Sequence, residues 1–143
     1  MANEIAEKNL ALKNLMLSLS EKSAWEYNSS LIEKSLSAMD EKLLHGKKEV
    51  VFVGHGTSFA TALCASSWAA HIARLNSRAM TAYEFRQYMD DVLLRPAETV
   101  VIGVSCSGGT ESVRLALLGA REAGALTIMI SGEGDISCAG PAD

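Results

Sequence analysis

The sequence predicts an α/β fold built on a parallel sheet, and three observations predict it. Short apolar runs rich in β-branched residues, Val50-Val51-Phe52-Val53, Thr99-Val100-Val101-Ile102-Gly103-Val104 and Leu126-Thr127-Ile128-Met129-Ile130, show no alternation. Strands covered on both faces read this way, and parallel sheets are covered on both faces. Helical segments separate the runs, so the order is β-α-β-α-β-α-β. Loops rich in glycine and hydroxyl side chains follow the first and third runs, where an open parallel sheet holds its ligands.

The elements follow in chain order. Across residues 5–44 apolar side chains recur at helical spacing, most clearly Ile32, Leu36, Met39 and Leu43. Two helices are expected, broken near residues 19–23, with Ser20 or Ser23 capping the second and Gly46 as a left-handed stop. This front end, residues 1–46, is either an oligomerisation helix pair or a lid over the domain's own core. Residues 47–143 form the α/β domain, whose first strand is the run 50–53. A helix over 58–74, Ala-rich with Leu63 and Trp68, leads to a shorter strand over 78–82. A helix over 83–94 carries Phe85, Met89, Val92 and Leu93, and the strand 99–104 follows. The helix over 110–123, with Val113 and Leu117, is closed by Gly124 before the strand 126–130.

Composition limits the function classes. With 143 residues, 48% hydrophobic and 21% charged, the chain is long enough to bury a core as one domain. The net charge is −4 and the 13 Lys and Arg are dispersed, so neither a nucleic acid nor an anionic membrane has an electrostatic footprint. Cys64, Cys106 and Cys138 are odd in number and form no CxxC pair, which argues against a disulfide framework and a zinc site, and for a reducing cytoplasm. The charged N-terminus is unlike a secretory signal, and no apolar stretch reaches the roughly 18 residues of a spanning helix. No cofactor or metal is expected.

Ser105-Cys106-Ser107-Gly108-Gly109-Thr110 sets three hydroxyls and two glycines before a helix, where the first N–H groups are free and the helix dipole is positive. That is an anion cradle, most simply for phosphate; the alternative is plain N-capping by Ser107 or Thr110. Gly54-His55-Gly56-Thr57-Ser58 begins like a dinucleotide fingerprint. However, Phe59 replaces the third glycine, and no Asp or Glu occurs between Glu49 and Glu84. Neither loop has the Gly-Lys-Ser/Thr of a P-loop. Ser105 sits in a partial GxSxG elbow, yet His45, His55 and His71 all precede it, the reverse of α/β-hydrolase order. Cys106 is either a helix-start thiolate or an inert thiol. His55 either touches the ligand or stands behind those that do, and Glu84 either bonds a sugar hydroxyl or caps its helix.

Gly56-Thr57-Ser58, Tyr83-Glu84-Phe85-Arg86 and Ser105-Cys106-Ser107-Gly108-Gly109-Thr110 occur in that order. Together they resemble the SIS (sugar isomerase) family over roughly residues 48–143, especially the isomerase half of glucosamine-6-phosphate synthase and related ketose/aldose isomerases and deglycases. The resemblance implies a three-layer α/β/α doubly wound sheet, with four strands present and a fifth missing. It implies phosphosugar binding by Gly56, Thr57, Ser58, Ser105, Cys106, Ser107, Gly108 and Thr110, with Ser105, Ser107 and Thr110 on the phosphate and His55 and Glu84 behind them. Cys106 and Gly109 depart from the Gln and Glu common in glucosamine-6-phosphate synthases.

The family's enzymes carry two such domains in tandem, and their catalytic glutamate, histidine and lysine positions have no counterpart here. Ile136 to Asp143 resembles the segment leading into the fifth strand, so the polypeptide is expected to continue. Two functions remain open. One is the first domain of a tandem sugar-phosphate isomerase, or of a fructosamine-phosphate deglycase of amino sugar metabolism, inactive as this chain alone. The other is a stand-alone phosphosugar-sensing module. The expected ligand is a hexose 6-phosphate or amino-sugar phosphate, and the expected assembly a homodimer, because an unpaired sheet edge is a liability.

Overall fold

The fold is known from a computed structural model, which describes residues 46–132. The helical front end, Cys138 and the segment 136–143 lie outside the described residues. Four strands, β1 (Glu49–Gly54), β2 (Asn76–Thr81), β3 (Thr99–Ser105) and β4 (Leu126–Ser131), make one parallel sheet in the order β2-β1-β3-β4. Between them lie α1 (Thr57–His71), α2 (Ala82–Gln87), α3 (Met89–Val92), a 3-10 turn over Pro96–Glu98, and α4 (Glu111–Glu122).

The chain steps one way from β1 to β2 and the other way from β2 through β3 to β4. Right-handed crossovers then put α1 on one face and α2, α3 and α4 on the other. The packing agrees with this, because successive strand side chains point to opposite faces. Val51, Val53 and Val101 pack with Phe85, Val92, Val113 and Leu117. Phe52 and Val104 pack with Ala62, Phe59 and Ala69 on the α1 side. Two buried faces explain why the strand sequences run apolar without alternation.

Three element boundaries differ from expectation. The second strand spans Asn76–Thr81 rather than 78–82, because Thr81 caps α2 and thereby draws Ala82 into the helix. Its polar start is held by pairing Asn76 with Glu49 and Ser77 with Val50, while the Ser77 hydroxyl donates to Ser66 Oγ at 3.2 Å. The single helix expected over 83–94 is two short ones, broken at Tyr88 (φ −117°, ψ 24°). The helix expected to reach residue 74 ends at His71; Arg74 turns left-handed (φ 57°), and the Leu75 amide donates back to the Ala69 carbonyl at 3.0 Å. Gly46 takes the expected left-handed conformation at φ 80°, and Gly124, which follows α4, is also left-handed at φ 94°.

Candidate functional site

All four strands finish at the same edge: Gly54 pairs with Thr81 and Val104, and Ser105 with Ser131. The Gly/Ser loops therefore meet there. At the end of β3, Ser105 is 1% exposed and its Oγ lies 2.9 Å from Thr110 Oγ1. The Gly108 amide donates to Ser105 Oγ at 3.2 Å, and Gly108 takes φ 70°, a turn that a side chain resists. Ser107 Oγ accepts from the Gly109 amide at 3.3 Å.

Side-chain capping, one of the two roles expected of this loop, is not what its hydroxyls do. Thr110 is the N-cap residue of α4, but no side chain caps this helix. The Thr110 hydroxyl is turned to Ser105 instead, and Ser107 satisfies Gly109. The Val113 and Arg114 amides both donate to the Thr110 carbonyl, at 3.0 and 3.1 Å, so the first turn of this 12-residue helix closes on its own backbone with its positive end facing the loop. A multi-oxygen anion suits that positive end.

The loop after β1 joins this cradle through one bond. Gly56 takes φ 55° and starts α1, with the Phe59 amide donating to its carbonyl at 3.1 Å. The turn brings Ser58 Oγ to accept from the Cys106 amide at 3.2 Å. From the other side, the Gly132 amide donates to the Cys106 carbonyl at 3.2 Å. The Cys106 peptide is therefore clamped at both ends, while its side chain is exposed. The structure brings Ser58, Ser105, Cys106, Ser107, Gly108 and Thr110 together at this edge. Thr57, exposed as the first residue of α1, stands beside them.

His55 and Glu84 are not hydrogen-bonded into the cradle. The His55 ring meets Tyr83 edge-on, centroids 5.2 Å apart and planes at 82°. Glu84 completes a capping box: Thr81 Oγ1 accepts from the Glu84 amide at 3.2 Å, and Glu84 Oε2 accepts from the Thr81 amide at 3.1 Å. Glu84 thus fills one of the two roles expected of it, capping, and the Thr81 hydroxyl at 2.8 Å holds its carboxyl below the ordinary value. Glu111 is likewise engaged, taking two bonds from Arg114 at 2.7 and 2.6 Å that lower its pKa.

Sequence reasoning missed Thr81 and Gly132. The Thr-x-x-Glu spacing of a capping box could have found Thr81, whereas Gly132 touches Cys106 only through tertiary structure. Among the described residues no group of three His, Cys, Asp or Glu could hold a metal ion. No described helix is long and apolar enough to cross a membrane.

Paired hydroxyls on glycine-shaped turns at two strand ends are accompanied by a match of the SIS domain family to residues 43–143. The chain belongs to the SIS domain family. Among solved structures, a candidate phosphosugar isomerase from Bacillus subtilis is 30% identical, with TM-score 0.58, covering 68% of this chain and 29% of that one. The C-terminal domain of glucosamine-fructose-6-phosphate aminotransferase from Francisella tularensis is 22% identical, with TM-score 0.59, covering 71% of this chain and 28% of that one. A protein of Escherichia coli CFT073, solved in complex with a ligand, is 22% identical, with TM-score 0.70, covering 99% and 71%. The latter two show the shared fold. This SIS chain spans less than a third of the length of the first two. Comparison with curated proteins gives no match.

Proposed function

We propose that this SIS domain binds the phosphate of a hexose 6-phosphate or amino-sugar phosphate in the cradle between β1 and β3. The observation that carries the reading is the Ser105–Thr110 hydroxyl pair at 2.9 Å, formed in place of a helix cap. Hydroxyls and amides hold an anion without a full positive charge, which suits a ligand that must be released.

We further propose that the domain is the first of a tandem pair in a sugar-phosphate isomerase or fructosamine-phosphate deglycase of the cytoplasm, and that the protein is a homodimer. Moving a proton between sugar carbons needs a carboxylate base within hydrogen-bond reach. Glu84, just past the end of β2, and Glu111, the first residue of α4, are committed to Thr81 and Arg114. This chain alone is therefore expected to turn over no sugar phosphate; isomerisation by the purified chain would overturn that. The same commitment favours a second reading, a phosphosugar-sensing module without catalysis.

Thermal shift tests the binding shared by both readings. Hexose 6-phosphates should raise the melting temperature and nicotinamide dinucleotides should not, while Ser105→Ala with Ser107→Ala should abolish the rise and leave a cooperative transition. Stabilisation that survives the double substitution would move the site elsewhere.

A further inference from the structure

Neutral hydroxyls and amides recognise phosphate oxygens, but they do not tell a sugar phosphate from inorganic phosphate. That distinction needs groups placed to meet the carbon chain. His55 and Tyr83 occupy such a place. His55 follows Gly54 directly at the end of β1, and Tyr83 lies two residues past Thr81 at the end of β2, with Gly54 and Thr81 paired in register. Three residues after His55, Ser58 accepts the Cys106 amide. The strand order β2-β1-β3 puts Tyr83 after β2, His55 and Ser58 after β1 and Cys106 after β3, so the two ring residues follow the strands on the β2 side of the cradle.

Neither ring serves the core. Phe85, two residues on, fills the interior and is fully buried, whereas Tyr83 is 61% exposed. Yet the two rings hold each other edge-on at 5.2 Å. An exposed but mutually ordered aromatic pair offers apolar ring surface together with a phenol and an imidazole nitrogen, a combination that matches the C–H faces and hydroxyls of a sugar. The rings are stiff, so little conformational entropy is lost on contact.

Resting on the phosphate-cradle reading, we propose that the His55–Tyr83 pair is the sugar-contacting wall of the site. It sets the preference for phosphorylated sugars over inorganic phosphate.

The test compares glucose 6-phosphate with inorganic phosphate on the whole chain by calorimetry, for wild type, Tyr83→Ala, His55→Ala, Tyr83→Phe and the double alanine variant. Tyr83→Ala should weaken glucose 6-phosphate about fivefold to tenfold and leave inorganic phosphate within about twofold. Tyr83→Phe should retain much of the sugar-phosphate affinity through the ring it keeps. The double variant should lose less than the sum of the two single losses, because each ring positions the other. An unchanged ratio of the two affinities in every variant overturns the wall and leaves the cradle standing. A parallel fall for both ligands also overturns it, since the rings would then only support the loop. If wild type binds neither ligand, the cradle reading fails and the wall with it.

Discussion

At Gly54 a single missing side chain sets how closely helix and strand approach. A Cβ there would lie 2.8 Å from the Ser58 carbonyl oxygen and the Phe59 amide nitrogen, both backbone atoms that cannot swing aside. Gly54→Ala should therefore push the start of α1 outward, break the Ser58–Cys106 bond and weaken phosphosugar binding while the chain remains folded. Retained affinity with a retained fold would disprove that coupling. Glu84 makes a pH prediction at the same scale. Its folded pKa is lowered, first by the Thr81 hydroxyl and then by the Thr81 amide, so folding favours the ionised form. The stability it adds is present above the ordinary glutamate pKa and is lost as pH falls through the lowered folded value. Glu84→Gln keeps the geometry of a capping box and removes the titration, so the wild-type melting temperature should fall toward the variant's as the solution is acidified below about pH 4.

Among the elements, α4 demonstrates how much a local pattern can carry. Val113, Ala116, Leu117 and Ala120 recur at steps of three and four and are fully buried. Leu117 rests over Gly103, where a Cβ would meet its Cδ1 at 2.8 Å and Val113 Cγ1 at 3.0 Å. Leu117→Ala should cost about 2–5 kcal/mol in urea unfolding, and Gly103→Ala about 1–3 kcal/mol by overpacking the same contact from the other side. A loss below these ranges for Leu117→Ala would mean that the contact relaxes more than its burial suggests. α4 was legible because its stripe and its closing Gly124 obey local rules. The region 82–94 was less so: its apolar spacing is helical throughout, yet Tyr88 leaves the helical conformation and divides it into α2 and α3. Arg74 hid the end of α1 for a related reason, a non-glycine residue held left-handed by the turn into β2.

Across the described domain, the sheet order β2-β1-β3-β4 leaves β4 without a second strand neighbour among the described residues, and Ile130 on it is 52% exposed. The homodimer proposed above predicts twice the single-chain mass in sedimentation equilibrium at micromolar concentration; a single-chain mass would refute it. The four strands, the second with shifted bounds, the two Gly/Ser loops and the edge on which they lie were readable from the sequence, because strand type and glycine-shaped turns are written in neighbouring residues. The site's inner wiring was not, and it exists only in the folded chain. Ser58 binds the Cys106 peptide 48 residues away, Thr110 turns from its helix to Ser105, and His55 faces Tyr83. A hydroxyl or a ring can satisfy itself locally or across the fold, and only the register of neighbouring strands selects which partner comes within reach.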